Sequence, residues 1–344
     1  MDRIALSKDG HGFILIPSGK PFRPWGLNYG HDGRLIEDFW ESDWKTLESD
    51  FAEMKALGAN AVRVHLQLGK FMDTADRPNE KALALLAKLL DLSERVDLYL
   101  DLTGLACYRK ADVPAWYDAL SDEGRWSVQQ RFWEAIADRC RMSPAVFCYD
   151  FINEPFVPGG RRKSGDWYSG QPLGGYDFVQ FIALDPRGTP REDLARQWTG
   201  AMAKATRARD PSRLVTVGML PWTPTWGFLS GFVPERIAPE VDFISVHVYP
   251  EKGKVDEAVQ TLKKFAVGKP LVVEETFPLA CGIDELENFI KRADFAAGWL
   301  GHYDGQPPAE LKQLRAAGKL SISQSLWLDW LELFQKLGAR ERNR

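Results

Sequence analysis

The sequence predicts a single α/β domain, a barrel of eight parallel strands with helices between them. Three observations predict it. Short apolar runs alternate with stretches of helical periodicity along most of the 344 residues. The runs are continuous rather than alternately polar, as in strands covered on both faces. Eight of them can be counted, the number that closes a barrel of this kind. A doubly wound open sheet fits less well, because no Gly-x-Gly-x-x-Gly follows the first strand. No linker, low-complexity tract or composition shift divides the chain, so residues 1–344 are expected to form one barrel.

In chain order, residues 11–17 and 20–24 predict a hairpin around Ser18-Gly19, placed to plug one end of the barrel. Pro24 to Gly30 is the first strand, and His31 stands in the loop behind it. Trp44 to Leu57 has helical periodicity, with Ser42 or Asp43 as its N-cap and Gly58 as its stop. Asn60 to His65 is the second strand. Helix 79–95 leads to strand 97–102, helix 125–141 to strand 145–152, and helix 190–209 to strand 213–219. The sixth strand is 242–249, followed by helix 255–266 and strand 270–275. Residues 284–300 are expected as a helix, 320–327 as the eighth strand, and the chain from about Asp329 as a last helix. The connection from about 156 to 190 is unusually long and holds Trp167, Tyr168 and Tyr176. A loop of that length is functional or disordered. On a barrel it lies on the catalytic face, so it is expected to wall the substrate site.

Net charge is −4 with no basic block, which gives nucleic acid no electrostatic footprint. No apolar run is long enough to span a membrane. The given sequence opens without an apolar leader segment, so a cytoplasmic protein, or a secreted one already processed, is expected. Cys107, Cys140, Cys148 and Cys281 form no metal or disulfide spacing and read as free thiols. No cofactor motif and no metal-ligand spacing is present. Oligomeric state is not encoded in any pattern found. The 13 tryptophans suit core packing or, at a cleft, the apolar faces of sugar rings.

Strand ends carry the chemistry of such barrels. The fourth strand emerges as Asn153-Glu154-Pro155, where proline stops the ladder and leaves a carboxylate at the tip of a buried run. A carboxyl group in that position is costly to desolvate and is suited to proton transfer. The seventh strand ends in Glu274-Glu275, an opposing carboxylate in the equivalent place. Neighbouring residues on a strand face opposite ways, so one of the two is expected at the mouth. Alternation alone leaves the choice open, and the one turned away would sit between strand and helix layers or support an arginine. The other strand ends offer Asn28, Arg63, His65, Thr103, His247, Tyr249 and Trp327. Trp222 and Trp226, just after the fifth strand, are expected to line the cleft, whereas His11 and His302 read as structural or solvated. Arg63 can also be read as an ordinary buried ion-pair partner, and His31 and His65 as packing residues. The set suits two-carboxylate chemistry rather than metal or serine chemistry.

Asn153-Glu154-Pro155, with Arg63, His247-Val248-Tyr249, a glutamate on the seventh strand and Trp327, resembles clan A glycoside hydrolases, and family 5 (cellulases and mannanases) within them. The resemblance spans roughly Pro21 to Trp330. It implies a retaining β-glycosidase with Glu154 as acid/base and Glu275 as nucleophile. It implies that Asn153 bonds the sugar 2-hydroxyl, that Arg63 and Tyr249 hold the nucleophile, that His247 lines the pocket, and that Trp327 is the sugar platform. A β-linked glucan, mannan or related oligosaccharide is the implied substrate, with no cofactor. Thr103-Gly104 and Thr276-Phe277-Pro278 depart from the family's habits and weaken any transfer of specificity. A transglycosylase using the same residues and a binding-only barrel stand as alternatives.

Overall fold

A computed structural model describes residues 1–221 and 229–341 of the chain. Eight parallel strands close a barrel in sequence order. They are β1 (Trp25–Tyr29), β2 (Ala61–Leu66), β3 (Tyr99–Gly104), β4 (Val146–Asn153), β5 (Leu214–Met219), β6 (Ile244–His247), β7 (Leu271–Glu275) and β8 (Gly298–Tyr303). A helix follows each strand. These are α1 (Trp44–Ala56), α2 (Glu80–Val96), α3 (Asp122–Cys140), α4 (Arg191–Arg207), α5 (Pro234–Ile237), α6 (Val255–Lys264), α7 (Ile283–Arg292) and α8 (Ile322–Glu341). Asp43 caps α1 by accepting from the Thr46 N–H, and Asn79 caps α2 from the Ala82 N–H.

Inside the barrel, polarity changes with height. The end where the strands begin is apolar, with Ala61, Tyr99, Phe147, Leu214, Phe243, Val272 and Leu300 packed on Ile4, Phe13 and Phe22. The last three belong to a small antiparallel sheet of Arg3–Leu6, Phe13–Ile16 and Pro21–Phe22, which seals that end as the hairpin expectation required. Phe13 meets Phe147 and Phe243 edge-on at 5.1 and 5.3 Å. Above this plug the interior turns polar, and chemistry is left to the opposite mouth.

The eighth strand lies elsewhere than the sequence suggested. Residues 298–303 are β8, although a helix was expected to run to 300, and the expected strand 320–327 falls mostly in α8. Two glycines disguise β8. A Cβ on Gly298 would come 2.3 Å from Pro24, and one on Gly301 would come 1.8 Å from the Trp330 ring. Both glycines exist to let neighbours approach. Leu320, Ile322 and Leu326 fall at strand period with Gln324 breaking it, but Leu328, Leu331, Phe334 and Leu337 bury one helical face. Ser321 and Gln324 form a capping box, with the Gln324 N–H on Ser321 Oγ and the Ser321 N–H on Gln324 Oε1, each at 3.1 Å.

The long connection is built rather than loose. Pro155–Phe156 and Val179–Phe181 pair in parallel, and Tyr168–Ser169 adds antiparallel to the second. Trp167 is buried beneath it, under the Arg125 guanidinium at 3.7 Å.

Candidate active site

Arg63 organises the mouth. It is wholly buried on β2, and its guanidinium serves side chains of three other strands, β1, β4 and β7. Nη1 donates to Glu275 Oε1 (2.5 Å) and Asn28 Oδ1 (2.8 Å). Nη2 donates to Asp150 Oδ2 (2.8 Å) and Asn153 Oδ1 (3.0 Å). Asn28 is itself fixed by donating to the Glu274 and Gly301 carbonyls. Asp150 also accepts from the Gly218 N–H at 2.7 Å. A side chain at Gly218 would press on His247, Arg63 and Asp150 within 3.1 Å, so this glycine keeps the space open.

Glu275 is pinned on its other oxygen by the Tyr249 phenol, which donates at 2.6 Å. Burial alone would raise its pKa, but His247 and Arg63 outweigh burial and hold it well below the usual carboxylate range. Tyr249 stays a phenol, because burial and the Glu275 charge push its pKa far up. Glu154 stands opposite. It follows β4 with φ of +49°, a left-handed conformation rare outside glycine and costly by about 1–3 kcal/mol. Its N–H is held by the Gly218 carbonyl at 2.9 Å. His247 lies 2.9 Å from Glu154 Oε1 and 3.5 Å from Glu275 Oε2 through the same ring nitrogen, Nδ1. Burial opposes charge on His247, but Glu275, Glu154 and Glu274 push its pKa up to about 10. Glu154 and Glu275 keep 15% and 10% of their side chains exposed, so a substrate can reach both.

Of the residues singled out in the sequence, Asn153, Glu154, Arg63, His65, His247, Tyr249 and Glu275 converge here. His65 touches Arg63 Nη1 at 3.1 Å, and burial beside that cation lowers its pKa to about 3, so the ring is neutral. Three expectations need correction. Trp327 is not at a strand end. It sits on α8 against Phe277, ring centroids 4.7 Å apart, one ring back from the site. The β8 residue at the mouth is His302, read from sequence as structural or solvated. Its Nε2 meets the Tyr249 hydroxyl at 2.9 Å and its ring stacks on Tyr249. Burial, with Arg63 and His247 nearby, lowers its pKa to about 4. Glu274 does not lie between strand and helix layers. It points into the barrel, because the register between β6 and β7 shifts at Val246/His247 and strict alternation ends there. Trp222 and Trp226 lie outside the described residues. His31 is held by Asp50 of α1 at 2.6 Å instead of facing the carboxylates.

Asp101 and Asp150 were missed as site groups, since acids inside a barrel break the apolar strand pattern, and Glu274 joins them there. Their oxygens come within 4.8 Å of one another, as do ligand atoms of Glu154, His247 and Glu275. Either trio has the donor types of a divalent-cation site. The charge on Arg63 and the proton on His247 already act as counterions to these acids. Among the described residues no N–H or O–H donor reaches the Asp101 or Glu274 carboxylate. Burial and Glu274 push Asp101 far above the usual range, and burial and Glu274 raise Asp150 to about 6.

The family of the chain follows from its sequence match over this whole region. The model of the cellulase family, glycosyl hydrolase family 5, matches residues 16–276, which include every strand from β1 to β7. The chain belongs to glycosyl hydrolase family 5. Family 5 membership places it among the glycoside hydrolases. No curated protein sequence matches the chain. Solved structures share the fold at low identity. The exo-β-1,4-mannosidase Op5Man5 from Opitutaceae bacterium strain TAV5 superposes with a TM-score of 0.69 at 17% identity, over 98% of this chain and 62% of that one. The present chain therefore spans less than two thirds of that protein. The β-mannanase of the blue mussel Mytilus edulis gives 0.63 at 15% identity, over 98% and 96%. The Thermomonospora fusca β-mannanase, solved as a mannotriose complex, gives 0.54 at 16%, over 88% and 84%. Among the described residues no helix is long and apolar enough to cross a membrane.

Proposed function

We propose that the protein hydrolyses β-linked glucan, mannan or related oligosaccharides with retention of configuration, Glu275 acting as nucleophile and Glu154 as acid/base. One observation carries the reading. Glu275 is held ionised between Arg63 and Tyr249, with Glu154 facing it across His247, the three ligand atoms within 4.8 Å of one another. Retaining enzymes keep their carboxyl groups about 5–5.5 Å apart, whereas inverting ones need about 6.5–9.5 Å to hold a water. Carboxylate oxygens that share one His247 ring nitrogen, at 2.9 and 3.5 Å, support the closer pairing and so retention.

In the first step a Glu275 oxygen bonds to the anomeric carbon as the bond to the leaving oxygen breaks. Glu154 gives that oxygen a proton, and the hydrogen bond with His247 Nδ1 keeps a proton source 2.9 Å away. The ester at Glu275 removes one negative charge from the mouth. In the second step Glu154 takes a proton from water, the hydroxide bonds to the anomeric carbon, and the Glu275 carboxylate leaves. The Arg63 and Tyr249 donors regain their full carboxylate partner at that point, which favours release. Asn153, whose Oδ1 accepts from Arg63 at 3.0 Å, is assigned to the sugar 2-hydroxyl. The names of the solved relatives make β-mannosides the first substrates to try. Following the anomer first formed from an aryl β-mannoside or β-glucoside by NMR tests the reading. The β anomer is expected first, and an α anomer as first product refutes it.

A further inference from the structure

We infer that this site accepts a chain end and removes one sugar at a time, because residues 155–181 close the rim of the mouth along one half. The inference rests on the glycosidase reading above.

The closing element never leaves the rim. It begins directly after Glu154, and the Gln180 N–H returns to the Glu154 carbonyl at 3.4 Å. Gln180 is buried, and its side-chain amide donates to the Leu105 carbonyl at 2.5 Å and to the Ala106 carbonyl beyond β3. Tyr108 and Asp177 exchange both backbone hydrogen bonds, at 3.1 and 2.7 Å. The Tyr108 hydroxyl accepts from the Leu68 N–H, just past β2. Tyr176 donates to Asp38, in the loop after β1, at 3.1 Å. Arg109 covers the Tyr176 ring at 4.4 Å and pairs with the same Asp38 at 3.5 Å. One continuous element thus ties together the loops after β4, β3, β2 and β1, which are consecutive around the barrel. Its anchors are backbone pairs and buried side chains, so it is a fixed wall. A polysaccharide threaded through the mouth must leave on both sides of the cleaved bond, and this wall bars one side.

The blind side is polar. Its gap is lined by Glu37, Gln67, Cys107, Tyr108, Arg109 and Tyr176. Cys107 lies 3.7 Å from His65, which touches Arg63, so two side chains, His65 and Arg63, stand between the gap and Glu275. Both amide atoms of Gln67 and one oxygen of Glu37 are buried without a hydrogen-bond partner among the described residues. Buried polar groups are normally satisfied, and the enclosed space here, about 10 Å³, is that of one water, which supplies a donor and acceptors together. A chain end stops short of the wall, whereas a continuing chain brings another sugar and meets it.

The test uses β-1,4-linked mannohexaose and cellohexaose, each labelled with 2-aminobenzamide at the reducing end, and an aryl β-glycoside as reference. Products are sized before a tenth of the substrate is consumed. Free monosaccharide with labelled pentasaccharide is expected, in at least 20-fold excess over di-, tri- and tetrasaccharides; release of the single labelled unit supports the inference equally. Internal fragments among the first products overturn it and leave the glycosidase reading intact, as does turnover of the aryl glycoside with neither hexasaccharide cut. No turnover of any glycoside overturns both. The double variant Arg109→Ala, Tyr176→Ala, checked for native fold, is expected to raise internal fragments at least tenfold. A variant that still releases only single sugars shows that the wall does not set the cleavage position, and overturns the inference.

Discussion

Replacing Arg63 with methionine removes the one cation that four polar side chains share. The substitution keeps much of the volume and leaves Glu275 and Asp150 buried without their donor, where Glu275 is 10% and Asp150 0% exposed. Breaking a buried pair by deleting one partner costs about 3–5 kcal/mol. For a chain of this size each kcal/mol moves Tm by roughly 2 °C, so a loss of about 6–10 °C is expected by calorimetry. Catalysis is expected to fall further than stability. The nucleophile loses a charge-assisted bond and its orientation, which together are worth ~10²–10³ in kcat/KM. The sign of the pH effect follows from the same contact. With less positive charge nearby, Glu275 takes up a proton at higher pH, so the acid limb of kcat/KM shifts upward. Arg63→Lys restores the charge but not the fork that reaches Glu275, Asp150, Asn28 and Asn153 at once, so stability recovers in part and activity little. An Arg63→Met protein within 2 °C of the parent, keeping kcat/KM within tenfold and its acid limb unmoved, refutes this account of the site.

Other consequences follow from single contacts. Glu154→Ala is expected to slow substrates with poor leaving groups by ~10³ while sparing activated aryl glycosides in the first step, read as a steeper dependence on leaving-group pKa. His247 carries a pKa of about 10 in the fold against 6.5 in an unfolded chain. Its contribution to stability is therefore complete below pH ~6.5 and lost as pH rises through ~10, a span worth on the order of 5 kcal/mol. Tm against pH should fall across that window, and His247→Gln should flatten the fall. Gly301→Ala should destabilise by about 1–3 kcal/mol or more, because the added methyl drives into Trp330. A Gly301→Ala protein as stable as the parent contradicts the packing of β8 on α8.

Seven of the eight barrel strands were legible as apolar runs, because parallel strands under helices have no polar face to confuse the pattern. The eighth was not, since Gly298 and Gly301 removed its β signal while Leu320 to Leu326 imitated one. The capping box at Ser321 and Gln324 was the sign that could have moved the boundary. That single error put Trp327 at the mouth and hid His302, which needed the true end of β8 to be seen. Glu154, Glu275, Arg63, His247 and Tyr249 were legible because each stands at or near a strand end that the pattern located correctly. The inner acids Asp101, Asp150 and Glu274 were not read as one group, since only closure of the barrel brings β3, β4 and β7 face to face.

The central claim is that Glu275 bonds to the sugar. Incubation with 2-deoxy-2-fluoro β-glycosides of the manno and gluco series, followed by intact mass and peptide mapping, tests it directly. A single added fluoroglycosyl group on the peptide carrying Glu275, absent from Glu275→Gln, is the predicted result. An adduct on Glu274 or Glu154, or turnover of aryl glycosides with no adduct from either series, contradicts it.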